Sequence, residues 1–228
     1  MKVAYIFHGH ARTWKQCYKN FFDNVYSVAP GDIFIHTWDR TNPIVGSYWN
    51  GWGYLTGEAL KLASTPPDIS GILEAYKPKM LLIEQDRLPD LSRFGDPSGV
   101  PHTAPGCMGV KLMLESSRKA FEAMKSYGTY ERVFSTRLDL NYQSKLSIDE
   151  VQSDSLIGAS RDGAFDIWMM GTTKQMDIKT QYVDHVDRYW YDYNMGLDYE
   201  TTLRSYLQDN NLGDFVASNL AFNTPRIF

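Results

Sequence analysis

The sequence predicts an α/β domain built on a mostly parallel sheet flanked by helices, and three observations carry that expectation. Short apolar runs at 2–7, 32–37, 80–83 and 132–136 have the length and the β-branched or aromatic content of buried strands. Stretches with helical spacing of apolar residues separate them. The chain also opens strand, helix, strand, the unit that builds a parallel sheet through a right-handed crossover. At 228 residues, 43% hydrophobic and 22% charged, one domain over 1–228 with a sizeable core is the expected organisation.

The elements follow in order. Lys2 to Phe7 reads as the first strand, and a polar turn, His8-Gly9-His10-Ala11-Arg12-Thr13, comes directly after it. Trp14, Cys17, Tyr18, Phe21, Phe22 and Val25 then lie on one helical face, with Thr13 placed to cap it and Pro30-Gly31 to end it. Asp32 to Thr37 is the second strand. Residues 38–58 hold Trp38, Tyr48, Trp49, Trp52 and Tyr54 among glycines without any period, and read as an aromatic loop. Asp68 or Ser70 starts a short helix through Ile72, Leu73 and Tyr76, Lys77-Pro78 stops it, and Met80 to Ile83 is the third strand. A Pro/Gly loop over 86–106 leads to a helix from Val110 to Tyr127, whose inner stripe includes Leu112, Met113, Ser116, Ala120, Phe121 and Met124. Arg132 to Thr136 is the fourth strand and runs into Arg137-Leu138-Asp139-Leu140. Strands at 156–159 and 167–170 and helices over about 174–190 and 199–209 complete a Rossmann-type alternation.

Composition excludes several functions. The net charge is −4, from 23 basic and 27 acidic residues, and no block of Lys or Arg offers a surface for nucleic acid. Cys17 and Cys107 share no close spacing, which supports neither a disulfide framework nor a cysteine zinc site and fits a reducing compartment. The opening apolar run is too short for a secretory signal, and no apolar run approaches the ~18 residues of a membrane span. A cytoplasmic protein with no transmembrane segment is expected.

In an open α/β sheet, ligands bind beyond the carboxyl ends of the strands, where loops converge beside helix N-termini. That rule selects His8 to Thr13, His36 to Asp39 and Arg137 to Asn141. In the first loop Gly9 lets a ligand approach the backbone, and His10 and Arg12 precede a helix N-terminus that attracts anions, so a nucleoside diphosphate suits it. The alternative is that His8 or His10 only satisfies the backbone of the turn. His36 and Trp38 are placed to contact a base or sugar, or else to form a packed corner. Asp139, just past a strand end, has the placement of a ligand for a phosphate-bound divalent cation, or of the partner of Arg137 in closing a turn. Lys111 is placed either to reach a phosphate or to remain on the surface. Asp166, at the head of an apolar strand, reads as a turn residue or a general base, and Glu200 and Asp198 as carboxylates favouring a helix dipole.

Gly9-His10-Ala11-Arg12-Thr13, Asp32-Ile33-Phe34-Ile35-His36-Thr37-Trp38 and Tyr130 through Leu140 resemble the motifs of GT-A-type glycosyltransferases of bacterial lipopolysaccharide and capsule pathways and of large DNA viruses. Asp166 to Gly171 with Met176, and Glu200 with Leu203 and Leu207, are similar to that family's later blocks, so the resemblance runs nearly end to end. It implies a GT-A-like single domain that moves a sugar from a nucleotide-sugar, a UDP-sugar at first guess, to a glycan hydroxyl. A Mn²⁺ or Mg²⁺ ion usually bridges the donor phosphates in such enzymes. Gly9, His10 and Arg12 then fall in the donor loop with His36 and Lys111 in reach, Arg137 and Asp139 in the metal and diphosphate element, and Asp166 at the acceptor as base, with Glu200 next in line. Apart from the resemblance, the aromatic loop at Tyr48, Trp49 and Trp52 is placed either to close as a lid over the sugar or acceptor and exclude water, or to pack as core. The chain departs from the family in having Arg-Leu-Asp where a D-x-D is usual.

Two other readings compete. His8 and His10, with His36, His102 or His185, would serve a metal-dependent hydrolase. The 15 Tyr and 6 Trp would equally suit a noncatalytic glycan-binding module.

Overall fold

A computed structural model describes residues 1–41, 64–87, 104–159, 167–189, 199–213 and 215–223, with the backbone alone for 104–108. Strand β1 (Val3–His8) is buried along its whole length, as a strand covered on both faces must be. It leads through Gly9 to α1 (Trp14–Phe21), which widens into a π-helical turn over Phe22–Tyr26. One α-helix through Val25 was expected. The wider turn instead carries Val25 inward beside Phe21, with Phe22 and Tyr26 packed against the same core. Thr13 does not cap α1, because its hydroxyl lies 3.8 Å from Cys17 Sγ.

Then come β2 (Asp32–Trp38), α2 (Ile69–Tyr76) and β3 (Met80–Glu84). Asp68 caps α2 by accepting from the Gly71 N–H at 3.0 Å, and Lys77 ends it in the left-handed region at φ 45°. Helix α3 (Ala104–Tyr127) starts six residues before the expected Val110. Pro105 does not prevent this, since proline in a first turn removes an N–H that would lack a helical partner. Strands β4 (Arg132–Arg137) and β5 (Asn141–Tyr142), helix α4 (Ile148–Gln152) and strands β6 (Leu156–Gly158) and β7 (Trp168–Gly171) follow. Helix α5 (Thr173–Asp187) opens with a capping box in which Thr172 and Gln175 satisfy each other's backbone N–H. Helix α6 (Tyr199–Asp209) and strands β8 (Phe215–Ala217) and β9 (Phe222–Asn223) complete the described chain.

The result is α/β. The central sheet has seven strands in the order β3-β2-β1-β4-β7-β6-β8, with β5 and β9 pairing separately. β3, β2, β1 and β4 run parallel, and β7 is antiparallel to both β4 and β6. Helices cover both faces. Tyr5, Phe7, Ile33, Ile35 and Phe134 pack towards α1 and α2 through Trp14, Phe21, Ile72 and Tyr76. Ala4, Ile6, Phe34 and Val133 pack towards α3, α5 and α6 through Phe121, Met124, Tyr182 and Leu203. Alternation within each strand thus feeds two cores, and each fully buried large apolar side chain contributes ~1.5–3 kcal/mol. Gly31 sits so close to β1 that a Cβ there would run into the Val3 carbonyl. No helix among the described residues is long and apolar enough to cross a membrane.

Candidate anion site at the strand ends

The parallel strands β1, β2 and β4 end side by side, and their loops meet the middle of α3. Gly9, at φ 91°, turns the chain out of β1, and no atom of the described residues lies within 4 Å of where its Cβ would be. Its N–H donates to Ser116 Oγ at 2.7 Å, and the same hydroxyl lies 2.7 Å from His36 Nδ1. The pattern closes if the Ser116 O–H donates to Nδ1 while Nε2–H faces Glu84, whose Oε1 is 3.6 Å away. Burial holds His36 down to about 4, against a smaller upward pull from Glu84, so the ring is neutral at pH 7. Glu84 in turn pairs with Lys119, which lies over the Trp38 ring. Ser116, read from the sequence only as part of an inner helical stripe, therefore joins two of the three loops. Its one signal was a polar residue on an otherwise apolar face.

His10 points towards Asp86, with Nε2 3.5 Å from Oδ2. Asp86 is buried just past β3, donates its backbone N–H to Asp39 Oδ1 at 2.8 Å, and finds no hydrogen-bond partner for its own Oδ1 among the described residues. Burial lowers His10 further than Asp86 raises it. Asp86 opened the Pro/Gly loop expected from the sequence, and only its offset of two residues past a strand marked it.

Arg12, Arg137 and Asp139 come together. Arg137 Nε donates to Asp139 Oδ1 at 2.8 Å and Nη2 to Oδ2 at 2.7 Å, a two-bond fork. Arg12 Nη1 stands 3.9 Å from the same Oδ2. Asp139 is only 4% exposed. Burial alone raises its carboxyl, but Arg137 and then Arg12 reverse this and hold it below the usual carboxylate range. His8 pairs with Arg137 across the β1–β4 ladder, is 2% exposed, and has no hydrogen-bond partner at Nδ1 among the described residues. Burial, then Lys179 and Arg137, hold it neutral. Lys179, on α5, is itself buried and donates to Ser117 Oγ at 3.0 Å. Its register, three residues after Met176 and three before Tyr182, places it on the buried face of α5.

The other expected residues lie elsewhere. Lys111 is already inside α3, where Nζ meets Asp187 Oδ1 of α5 at 2.6 Å. Glu200 is in the first turn of α6, a helix that packs on α5. His185 stacks on Tyr206, with ring centroids 5.4 Å apart. Asp166, Asp198, His102, Tyr48, Trp49, Trp52 and Tyr54 are outside the described residues, as is the side chain of Cys107.

The described donors do not suit a divalent cation. Asp139 is the only carboxylate among them at this point, both its oxygens accept from Arg137, and two guanidinium groups beside it repel further positive charge. Among the described residues no group of three or more His, Cys, Asp or Glu side chains is placed to hold a metal ion. The arrangement suits an anion instead. No protein-family model matches the chain, and a search of curated proteins finds no match.

Proposed function

We propose that this protein transfers a glycosyl group from a nucleotide-sugar to a hydroxyl of a glycan or glycoconjugate. The observation that carries the reading is the meeting of Arg12 and Arg137 at Asp139, on neighbouring parallel strand ends beside a glycine at φ 91°. A leaving nucleoside diphosphate develops negative charge, and donors fixed in place before reaction stabilise it without reorganisation. Gly9 lets the phosphates approach the backbone, while His36 and Trp38, both fully buried against each other, form a packed corner behind the same loops. The D-x-D departure fits this picture, because an arginine stands where the first carboxylate would be. Asp166 remains the expected base for the acceptor hydroxyl and Glu200 the next candidate. The UDP-sugar donor and a cytoplasmic location belong to the same proposal.

The test is a thermal-shift screen of UDP, GDP, CDP and ADP, followed by assay of nucleoside diphosphate release from the matching sugar donors. A ligand at about 100 times its Kd stabilises by ~2.7 kcal/mol, enough to read as a raised Tm. Selective stabilisation by one nucleotide together with release from its sugar form is the expected result. Failure of all four to bind, with or without Mn²⁺, overturns the reading.

A further inference from the structure

We infer that the donor diphosphate is held by Arg12 and Arg137 in place of a divalent ion, and that Asp139 is the positioning residue that aims the two guanidinium groups. The inference rests on the glycosyl-transfer reading above.

Asp139 occupies the place where a metal ligand is expected, but its chemistry is already committed. A carboxylate that accepts two charge-assisted bonds from one guanidinium has both oxygens engaged on that side, and the planar fork fixes the orientation of Arg137. Oδ2 also faces Arg12 at 3.9 Å, so one negative charge lies between two positive ones. The triad sums to +1, His8 beneath it is neutral, and Lys179 adds positive potential from behind His8. A dication entering here would raise an excess that is already positive, whereas a diphosphate would offset it. The two arginine side chains remain 30% and 21% exposed, against 6% for that of Asp139. The carboxylate therefore lies underneath and the cations above, the order in which an anion arriving from solvent meets the cations first. No atom of the described residues lies within 4 Å of a Cβ at Gly9, which leaves the phosphates an approach to the backbone there.

Inorganic pyrophosphate is the probe, since it presents the proposed ligand group without base or sugar. Calorimetric titration in EDTA and again in Mn²⁺ should give affinities within about threefold of each other. Arg12→Ala and Arg137→Ala should each weaken pyrophosphate by about tenfold or more in both buffers, equivalent to ~1.4 kcal/mol. Asp139→Asn adds net positive charge yet should weaken it by a similar factor in EDTA and in Mn²⁺, because the loss is one of aim, and tighter binding by this variant overturns the positioning role of Asp139. Arg137→Lys keeps the charge without the fork and should fall between wild type and Arg137→Ala, and Arg12→Lys covers the case in which an alanine variant fails to fold.

Binding that appears only with Mn²⁺, or an Asp139→Asn protein that loses only the Mn²⁺-dependent part, overturns the inference and leaves the glycosyl-transfer reading standing. Pyrophosphate binding unchanged in both alanine variants also overturns it. Pyrophosphate binding in EDTA without binding of any nucleoside diphosphate supports the anion site and defeats glycosyl transfer.

Discussion

Arg12 and the two buried histidines show how single residues acquire roles through their surroundings. In the proposed transfer Arg12 would hold a phosphate group that is charged both before and after the glycosyl bond breaks, so its contribution would be made in the ground state as well as in the transition state. Arg12→Ala is therefore expected to raise donor KM by about tenfold or more while kcat stays within about threefold, measured by steady-state kinetics with the donor varied. A fall in kcat at unchanged KM would place Arg12 in the transition state instead. His8 and His36 are both lowered chiefly by burial, His36 to about 4 from 6.5. Between those values the unfolded chain binds protons that the folded chain refuses, so stability is complete above pH 6.5 and declines as pH falls towards 4. At His36 this amounts to on the order of 3 kcal/mol. Asp139 has the same sign in a lower window, since its carboxyl is held down in the fold and its contribution is lost only as pH drops below the ordinary carboxylate value. Urea midpoints should fall from pH 7 to pH 4.5, and a flat profile would show that the imidazoles protonate without opening the structure.

Helix α3 joins two loops that the chain places far apart, and one side chain makes the join. Ser116→Ala would leave the Gly9 N–H and His36 Nδ1 without their shared partner in a buried site. Leaving buried polar groups unsatisfied costs ~1–3 kcal/mol each, so a loss of about 2–4 kcal/mol is expected in denaturant unfolding, together with weaker pyrophosphate binding. A loss below ~0.5 kcal/mol would show that water replaces the hydroxyl. The long elements were largely legible in the sequence. Strands β1 to β4 and helices α2, α5 and α6 fall close to their expected places, because each carries a sustained apolar period. The missed elements are β5, α4, β8 and β9, of two to five residues, too short to show any period. The early start of α3 was hidden because Pro105, Gly106 and Gly109 read as loop residues, although a first-turn proline is compatible with a helix.

Across the whole molecule, β1, β2 and β4 supply alternate side chains to both cores, so neither core can open without losing the strands that complete the other. Tryptophan fluorescence, with Trp14 and Trp168 in the first core, and far-UV circular dichroism should therefore give coincident unfolding transitions. Separate midpoints would show that the two helical layers melt independently. The same sheet brings the site together. Periodicity is a local property, and from it the sequence by itself determined the α/β class and the parallel opening. It also marked Gly9, His10, Arg12, His36, Arg137 and Asp139 as residues at or just past the ends of buried strands. Only the tertiary structure decided which of these meet. It joined Arg12 to Asp139 across 127 positions of chain, committed Asp139 to Arg137, turned Lys111 towards Asp187, and brought in Ser116, Asp86 and Lys179 from other elements. The physical reason is that charge pairing and desolvation depend on distance and burial, which strand order and helix packing set and sequence spacing does not.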